Sequence, residues 1–354
     1  MTVAPRDGLG VFAGYHSPQV DVPIRLNTNE SPFSPPGQLL EAWTKAVGGM
    51  NLNRYPDRSA KGAIRAIADF HGVSPEQVFI ANGSNEVLQS ILLGYGGDTR
   101  VAASFEPTYA MYETIARVTS TPYVALERDS RLLVDLNRGI DDLKVSKADL
   151  VFVCTPNNPT GLLEESGLVD TLLGRFGSLV VVDEAYGQFN DESSVPLIQR
   201  YDNLVVVRTF SKIWSLAGMR IGYAIADKKI IETLWRVALP YHLDASKALL
   251  AELSFDYIAE MEERVSFLIS ERERVQDRFG SLDLSFWPSA TNFILFRPKI
   301  GHGHRLWELL LERGVLVRDW SRWPRLDDCL RVTIGTKAEN DAFLAALEES
   351  LELL

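Results

Sequence analysis

One lysine set among small hydroxyl residues marks the stretch of this sequence best equipped for chemistry: Thr209-Phe-Ser211-Lys212-Ile-Trp-Ser-Leu-Ala-Gly-Met-Arg220-Ile-Gly-Tyr223. The lysine follows the apolar run Leu204 to Val207, and a lysine at the end of a buried strand loses hydration. That loss disfavours the ammonium form and frees the amine to attack a carbonyl and form a Schiff base. Thr209, Ser211 and Arg220 supply hydroxyl and guanidinium donors suited to an anion such as a phosphate ester. A phosphate combined with a carbonyl-reactive lysine points to pyridoxal 5′-phosphate (PLP). The same residues also fit a surface helix that starts at Lys212 and is capped by Arg220, so the rest of the chain has to decide.

Four other stretches read as strands that run into polar residues. Val78 to Ala81 leads into Asn82-Gly83-Ser84-Asn85-Glu86 and a helix with Val87, Leu88, Ile91 and Leu92 on one side. A strand, a glycine turn and a helix start, with Ser84 as N-cap, offer free backbone N–H groups and the positive helix end to an anion. Most such turns in α/β proteins only hold a loop, and this one gains weight from Ser211 and Arg220. Val101 to Phe105 leads to Glu106-Pro-Thr-Tyr109, putting an aromatic ring at a strand's carboxyl end, where open α/β sheets bind ligands. Core filling is the plainer use of that ring. Leu150 to Cys154 leads to Thr155-Pro-Asn157-Asn158-Pro159-Thr160-Gly161, whose prolines stiffen a turn that either presents an amide or merely reverses the chain. Leu179-Val-Val-Val-Asp183 ends an apolar strand in a carboxylate, with Tyr186 three residues on. A strand-end aspartate also serves as a metal ligand or an N-cap, but no acidic or histidine motif of ligand spacing lies nearby, so no metal site is expected.

Together, Ser-Lys-x-x-x-Leu-Ala-Gly-x-Arg-Ile-Gly-Tyr and these stretches resemble the fold-type I PLP-dependent aminotransferases, nearest to their histidinol-phosphate aminotransferase branch. The resemblance extends from about Tyr15 to about Thr336. It implies that Lys212 carries the cofactor and moves the substrate proton, and that Asp183 keeps the pyridine nitrogen protonated. A protonated ring is the stronger electron sink. By the same resemblance Asn158 and Tyr186 meet the phenolic oxygen and Tyr109 stacks on the ring. Ser84, Asn85, Thr209, Ser211 and Arg220 hold the phosphate. Tyr55, in Arg54-Tyr55-Pro56-Asp57, reaches that phosphate from the neighbouring subunit of a homodimer. Tyr15 and Asn29 line the substrate pocket, Arg331 binds the donor's carboxylate, and Arg318 helps hold a second anion. Either arginine could instead pair with Asp319, Asp327 or Asp328. In Asn29-Glu30-Ser31-Pro32-Phe33, Ser31 and Phe33 depart from the family's usual Asn and Tyr.

The fold implied is α/β: a mostly parallel central sheet in a large PLP-binding domain (41–240), plus a small α+β domain (241–354) to which an N-terminal arm (1–40) contributes. The reaction implied is transamination between L-histidinol phosphate and 2-oxoglutarate in histidine biosynthesis. An aromatic amino-acid aminotransferase and a threonine-phosphate decarboxylase share the same ring contacts. A PLP-sensing transcription regulator would need a fused helix-turn-helix module, for which the residues before the first motif leave no room.

Composition agrees with small-molecule work. The 354 residues, 46% hydrophobic and 23% charged, suffice for two cores. A formal charge of −11 argues against a phosphate-backbone binder. Cys154 and Cys329 are too few for a disulfide framework, and the N-terminus has no signal-peptide core, so a cytoplasmic protein is expected with neither export nor membrane insertion. Six prolines in residues 1–40 predict an extended arm. Leu243 to Phe279 reads as one long or twice-broken helix closed by Gly280. Within it Glu262, Glu263, Glu271 and Glu273 read as a solvated face. His302 and His304, two apart, do not form a metal pair on a helix.

Overall fold

The computed structural model describes residues 3, 4, 6, 9 and 20–354. Tyr15 lies outside them. The arm supplies a short strand, β1 (Ile24–Leu26), and then runs without regular structure as far as Pro36, where α1 (Gly37–Gly48) begins. The expectation of an extended chain through residue 40 is corrected here, because a proline's fixed φ suits the entry to a helix as well as an arm. In α2 (Lys61–His71) the apolar spacing buries Ala63, Ile64, Ile67 and Ala68, and Gly72 ends the helix with φ 64°.

The chain then alternates strand and helix: β2 (Val78–Ala81), α3 (Ser84–Tyr95), β3 (Ala102–Glu106), α4 (Met111–Val118), β4 (Tyr123–Glu127), α5 (Leu136–Val145), β5 (Leu150–Cys154), α6 (Leu168–Phe176) and β6 (Leu179–Asp183). Strands β7 (Leu204–Thr209) and β8 (Gly222–Ala226) follow, with the lysine stretch between them as a turn rather than a helix. Among the described residues these strands form a seven-stranded sheet in the order β2-β8-β7-β6-β5-β3-β4, in which only β8 runs against the others. Strands β5, β6 and β7 are buried along their whole length, as continuous Val and Leu runs require when both faces of a sheet are covered.

After α7 (Lys228–Val237), the stretch read as one long helix is broken once: α8 (Ala245–Ser254) passes through a single 3₁₀ turn into α9 (Ile258–Gly280). The solvated-face reading fails at one residue of α9. Glu271 is buried, accepting from Arg274 and from Asn340 Nδ2 at 2.9 Å, a contact between distant segments that charge spacing does not reveal. Strands β9 (Leu284–Phe286) and β10 (Phe293–Pro298), helix α10 (Gly303–Glu312), strands β11 (Val315–Asp319) and β12 (Leu330–Thr333), and α11 (Lys337–Leu351) complete the chain. The second sheet has the order β1-β11-β12-β10-β9, so the arm's strand pairs in parallel with β11, nearly three hundred residues later. Arg325, in the loop between β11 and β12, ties the sheets together by donating to the carbonyls of Glu106 and Asp129. His304 turns to Asp319, with Nδ1 2.7 Å from Oδ2.

Candidate active site

The carboxyl ends of β5, β6 and β7 open into one cleft, with about 140 Å³ of free space, that the second sheet closes from the other side. Parallel strands end there with their last residues pointing into it, the usual place for ligands in such sheets. Lys212 sits just past β7. Its amine donates to the carbonyls of Asn29, at 2.8 Å, and Thr28, at 3.3 Å, and lies 5.6 Å from the centre of the Tyr186 ring. Burial pulls its pKa down to about 7, and the nearby Arg331 charge adds to the effect. At neutral pH a large fraction of the amine is therefore neutral and nucleophilic.

Asp183 ends β6 with its carboxylate buried. Tyr112 donates to Oδ2 at 2.9 Å, and the Ala185 amide to Oδ1 at 3.0 Å. Burial pushes the acid up to about 6, against the pull of those two hydrogen bonds. Tyr186 lies between the two groups and accepts from Asn29 Nδ2 at 2.9 Å; burial raises its hydroxyl. Asn29 has φ 55°, a backbone conformation that non-glycine residues seldom adopt. Thr333 pins it there by accepting from its amide and donating to its Oδ1, and Asn292 donates to its carbonyl.

At the other end of the cleft, donors converge. Arg220 Nη1 lies 3.3 Å from Ser211 Oγ, and the Thr209 hydroxyl lies 3.0 Å from the same oxygen. The N-terminus of α3 faces them. Gly83, not Ser84, is its N-cap; Ser84 is the first helical residue. The reason is the backbone: φ at Gly83 is 85°, a conformation that strains any residue with a Cβ. A Cβ on Gly222 would lie 2.3 Å from the Ser84 nitrogen, so this glycine lets β8 approach the start of α3. Tyr109 stands beside this corner in the loop before α4, its hydroxyl donating to Asn85 Oδ1 at 3.0 Å.

The second sheet contributes the cations. Arg318 and Arg331 are directly paired residues on β11 and β12. Like charges so placed repel. Both guanidinium groups lie over the Trp320 ring, at 5.6 and 5.7 Å, and Arg331 also lies over Phe293 at 5.0 Å. Arg331 donates to Asn158 Oδ1 at 2.5 Å and to the Asn27 carbonyl at 3.0 Å.

The cleft thus gathers Asn29, Ser84, Asn85, Tyr109, Asn158, Asp183 and Tyr186 with Thr209, Ser211, Lys212, Arg220, Arg318 and Arg331. Tyr55 is not among them: it is 81% exposed and stacks on Tyr241 at 4.5 Å. Sequence reasoning missed Tyr112 and Trp320. The spacing Tyr109-x-x-Tyr112 was the available signal for the first, since it places two aromatics one turn apart at the start of α4. The donor set fits PLP: an anion cradle held open by two glycines, a buried carboxylate with two neutral donors, an aromatic wall, and an amine poised near neutrality.

A family model described as "Aminotransferase class I and II" matches residues 21–347. The chain is 38% identical over 357 residues to a histidinol-phosphate aminotransferase of Corynebacterium diphtheriae, covering 97% of this chain and 95% of the relative. It is 39% identical over 362 residues to one of Frankia casuarinae, covering 98% and 90%. The crystal structure of histidinol-phosphate aminotransferase from Sinorhizobium meliloti in complex with pyridoxal-5′-phosphate superposes with a TM-score of 0.87 at 23% identity, covering 94% of this chain and 92% of that one.

Proposed function

Because the chain belongs to the class I and II aminotransferases, we propose that it is a PLP-dependent enzyme exchanging the amine of L-histidinol phosphate with 2-oxoglutarate, giving imidazole acetol phosphate and L-glutamate. Relatives of that name at 38 and 39% identity over nearly the whole chain carry this reading. The paired Arg318 and Arg331 beside Lys212 support it, since both substrates are anions.

When bound, PLP supplies a carbonyl that accepts an amine and a protonated ring that draws electron density from the substrate's Cα. The chain's residues supply the rest. The Lys212 amine would anchor the cofactor through that carbonyl and, when free, would carry the proton from the donor's Cα. Asp183 would hold the ring nitrogen protonated, while Tyr186 and Asn158 would serve the phenolic oxygen. Arg220, Ser211, Thr209 and the start of α3, with Ser84 and Asn85, hold the phosphate, and Tyr109 covers the ring. Arg331 would pair two-pronged with an anion of whichever substrate is bound, the phosphate of histidinol phosphate or a carboxylate of 2-oxoglutarate or glutamate, and Arg318 would neutralise a second anionic group. Asn29 shapes the substrate side; Tyr15, which lies outside the described residues, is given that role by the resemblance alone.

We assign the chain an arm (1–40), a large cofactor-binding domain (41–240) and a small domain (241–354), and a cytoplasmic homodimer in which Tyr55 completes the partner's site. The 81% exposure of Tyr55 and the outward Leu52 and Leu239 favour such an interface. No helix among the described residues is long and apolar enough to cross a membrane.

The test is glutamate formation from histidinol phosphate and 2-oxoglutarate by the purified protein, run beside aromatic amino acids and threonine phosphate. Turnover of histidinol phosphate well above the others supports the reading. Preference for an aromatic amino acid, or carbon dioxide released from threonine phosphate without need of 2-oxoglutarate, overturns it.

A further inference from the structure

We propose that Tyr112 is a positioning residue for the cofactor's ring nitrogen: its hydroxyl holds the Asp183 carboxylate in place and in its ionised form. The proposal rests on the PLP reading above and adds to it a residue that never touches the ligand.

The geometry begins with the ring. Tyr112 is fully buried in the first turn of α4, parallel to Phe152 of β5 at 4.7 Å and 5°, and edge-on to Tyr109 at 5.5 Å and 84°. Two aromatic neighbours therefore fix its plane, and with it the direction of the hydroxyl. That hydroxyl donates to Asp183 Oδ2 at 2.9 Å, deep among apolar side chains of β5 and β7. Tyr109, whose hydroxyl reaches Asn85 at the phosphate end, and Tyr112, whose hydroxyl reaches the carboxylate from behind the cleft wall, thus form one packed pair.

The electrostatics explain why a hydroxyl is needed there. The titratable groups around Asp183 are Cys154 on β5, Glu184 next in sequence, Tyr186 beyond it and Tyr112 itself. Cys154 is a thiol that burial pushes up to about 12, Glu184 repels a second carboxylate, and Arg208 on β7 is engaged by Glu184. Against burial and Glu184, the opposing contributions come from two neutral donors, Tyr112 and the Ala185 amide. A backbone amide cannot be removed by substitution. The Tyr112 hydroxyl can, and Tyr112→Phe leaves the ring stack intact.

The experiment measures binding of pyridoxine 5′-phosphate, which has the ring nitrogen and phosphate but no aldehyde, to the full-length protein freed of cofactor. Calorimetry from about pH 5 to about pH 9 on wild type, Tyr112→Phe and Asp183→Asn separates the contributions. Phosphate ionisation affects all three proteins alike, so the Asp183 limb is the part of the profile that Asp183→Asn removes. Wild-type affinity should fall as pH drops through the Asp183 pKa near 6. In Tyr112→Phe that limb should move up by about one pH unit, lowering affinity about fivefold near pH 6, approaching about tenfold near pH 5, and leaving it nearly unchanged near pH 8.5. A Tyr112→Phe profile that superposes on wild type, or that drops equally at every pH, overturns the proposal. Wild-type and Asp183→Asn profiles that coincide would instead remove Asp183 from the ring nitrogen, and with it the reading on which the proposal rests. Should Tyr112→Phe fail to fold, 3-fluorotyrosine at position 112, a better donor, must move the limb downward; an unmoved limb also overturns the proposal.

Discussion

Two adjacent residues at the end of β6 show two ways of burying a carboxylate. Glu184 turns to one side of the sheet and is fully compensated there. Arg208 reaches it at 2.5 and 3.1 Å, Ser193 at 3.1 Å and the Ser194 amide at 2.5 Å. Asp183 turns to the other side and receives the Tyr112 hydroxyl and the Ala185 amide, both neutral. The first arrangement resembles the buried pair Arg128 and Glu164, which fastens the loops around β4 and β5. The second leaves negative charge unmatched by protein, as Lys212 leaves an amine against two carbonyls. The lesson is that the framework closes its ion pairs internally, whereas the cleft keeps its charges for a ligand.

Losing the amine should have the largest effect. Lys212→Ala is expected to lower turnover about ten-thousandfold or more, since one side chain serves both as covalent anchor and as proton carrier. The covalent adduct trapped by borohydride should vanish from the peptide containing residue 212. An adduct surviving at another lysine would show that the reactive amine lies elsewhere.

Asp183→Asn and Glu184→Gln then set the two sides of β6 against each other. The first should slow turnover about a hundredfold to a thousandfold, through loss of charge at the ring nitrogen. The second should cost about 3–5 kcal/mol of stability by stranding Arg208, with kcat of the folded protein nearly unchanged. Denaturant titrations beside kinetics would read both. Equal losses in both quantities for both variants would erase the distinction between site and framework.

The same contrast predicts a pH effect. The folded-state pKa of Asp183, near 6, lies above its ordinary 3.8. Between those values the folded protein binds more protons than the unfolded chain, so this residue's contribution to stability is full below about pH 4 and is lost as pH rises through 6. The loss amounts to about 3 kcal/mol. It should appear as the difference between wild type and Asp183→Asn, both freed of cofactor, on going from about pH 4 to about pH 7. Parallel stability curves would mean that Asp183 is better solvated than its burial implies.

Much of this contrast was legible in the sequence, and the illegible part has a common cause. Apolar runs closed by a polar residue, such as Leu179 to Asp183 and Leu204 to Thr209, announced both the strand and the residue it delivers, because a strand buried on both faces has no other place to put a charge. The turn at Asn158 and the lysine stretch were readable for the same reason. What escaped depends on partners far along the chain. Tyr112 drew no notice because only the fold brings Asp183, 71 residues on, to its hydroxyl. Glu271 reads as solvated until Asn340 covers it. Local pattern sets the elements, and tertiary contact decides which polar residues lose their water.

The smallest effects should come from the two arginines, where the second sheet meets the cleft. Arg331 is buried, held by Asn158 and the Asn27 carbonyl, with rings of Phe293 and Trp320 beside its guanidinium. Arg318 is half-buried and shares only the Trp320 face among those rings. A charge-assisted contact is worth about 1.5–3 kcal/mol, so Arg331→Ala should lower kcat/KM for the amino donor about tenfold to a hundredfold. Arg318→Ala, at the more solvated position, should fall near the tenfold end. Removing either also relieves the repulsion between directly opposed cations. Arg318→Ala should therefore keep or slightly gain stability while losing substrate affinity, the reverse of Glu184→Gln, whereas Arg331→Ala also strands Asn158 Oδ1 and the Asn27 carbonyl and should lose stability as well. Measuring the glutamate and histidinol phosphate half-reactions separately tells which anion each arginine serves. Unchanged kinetics in both half-reactions for both variants would detach the second sheet from substrate recognition. The unmatched charge in the cleft would then belong to the cofactor alone.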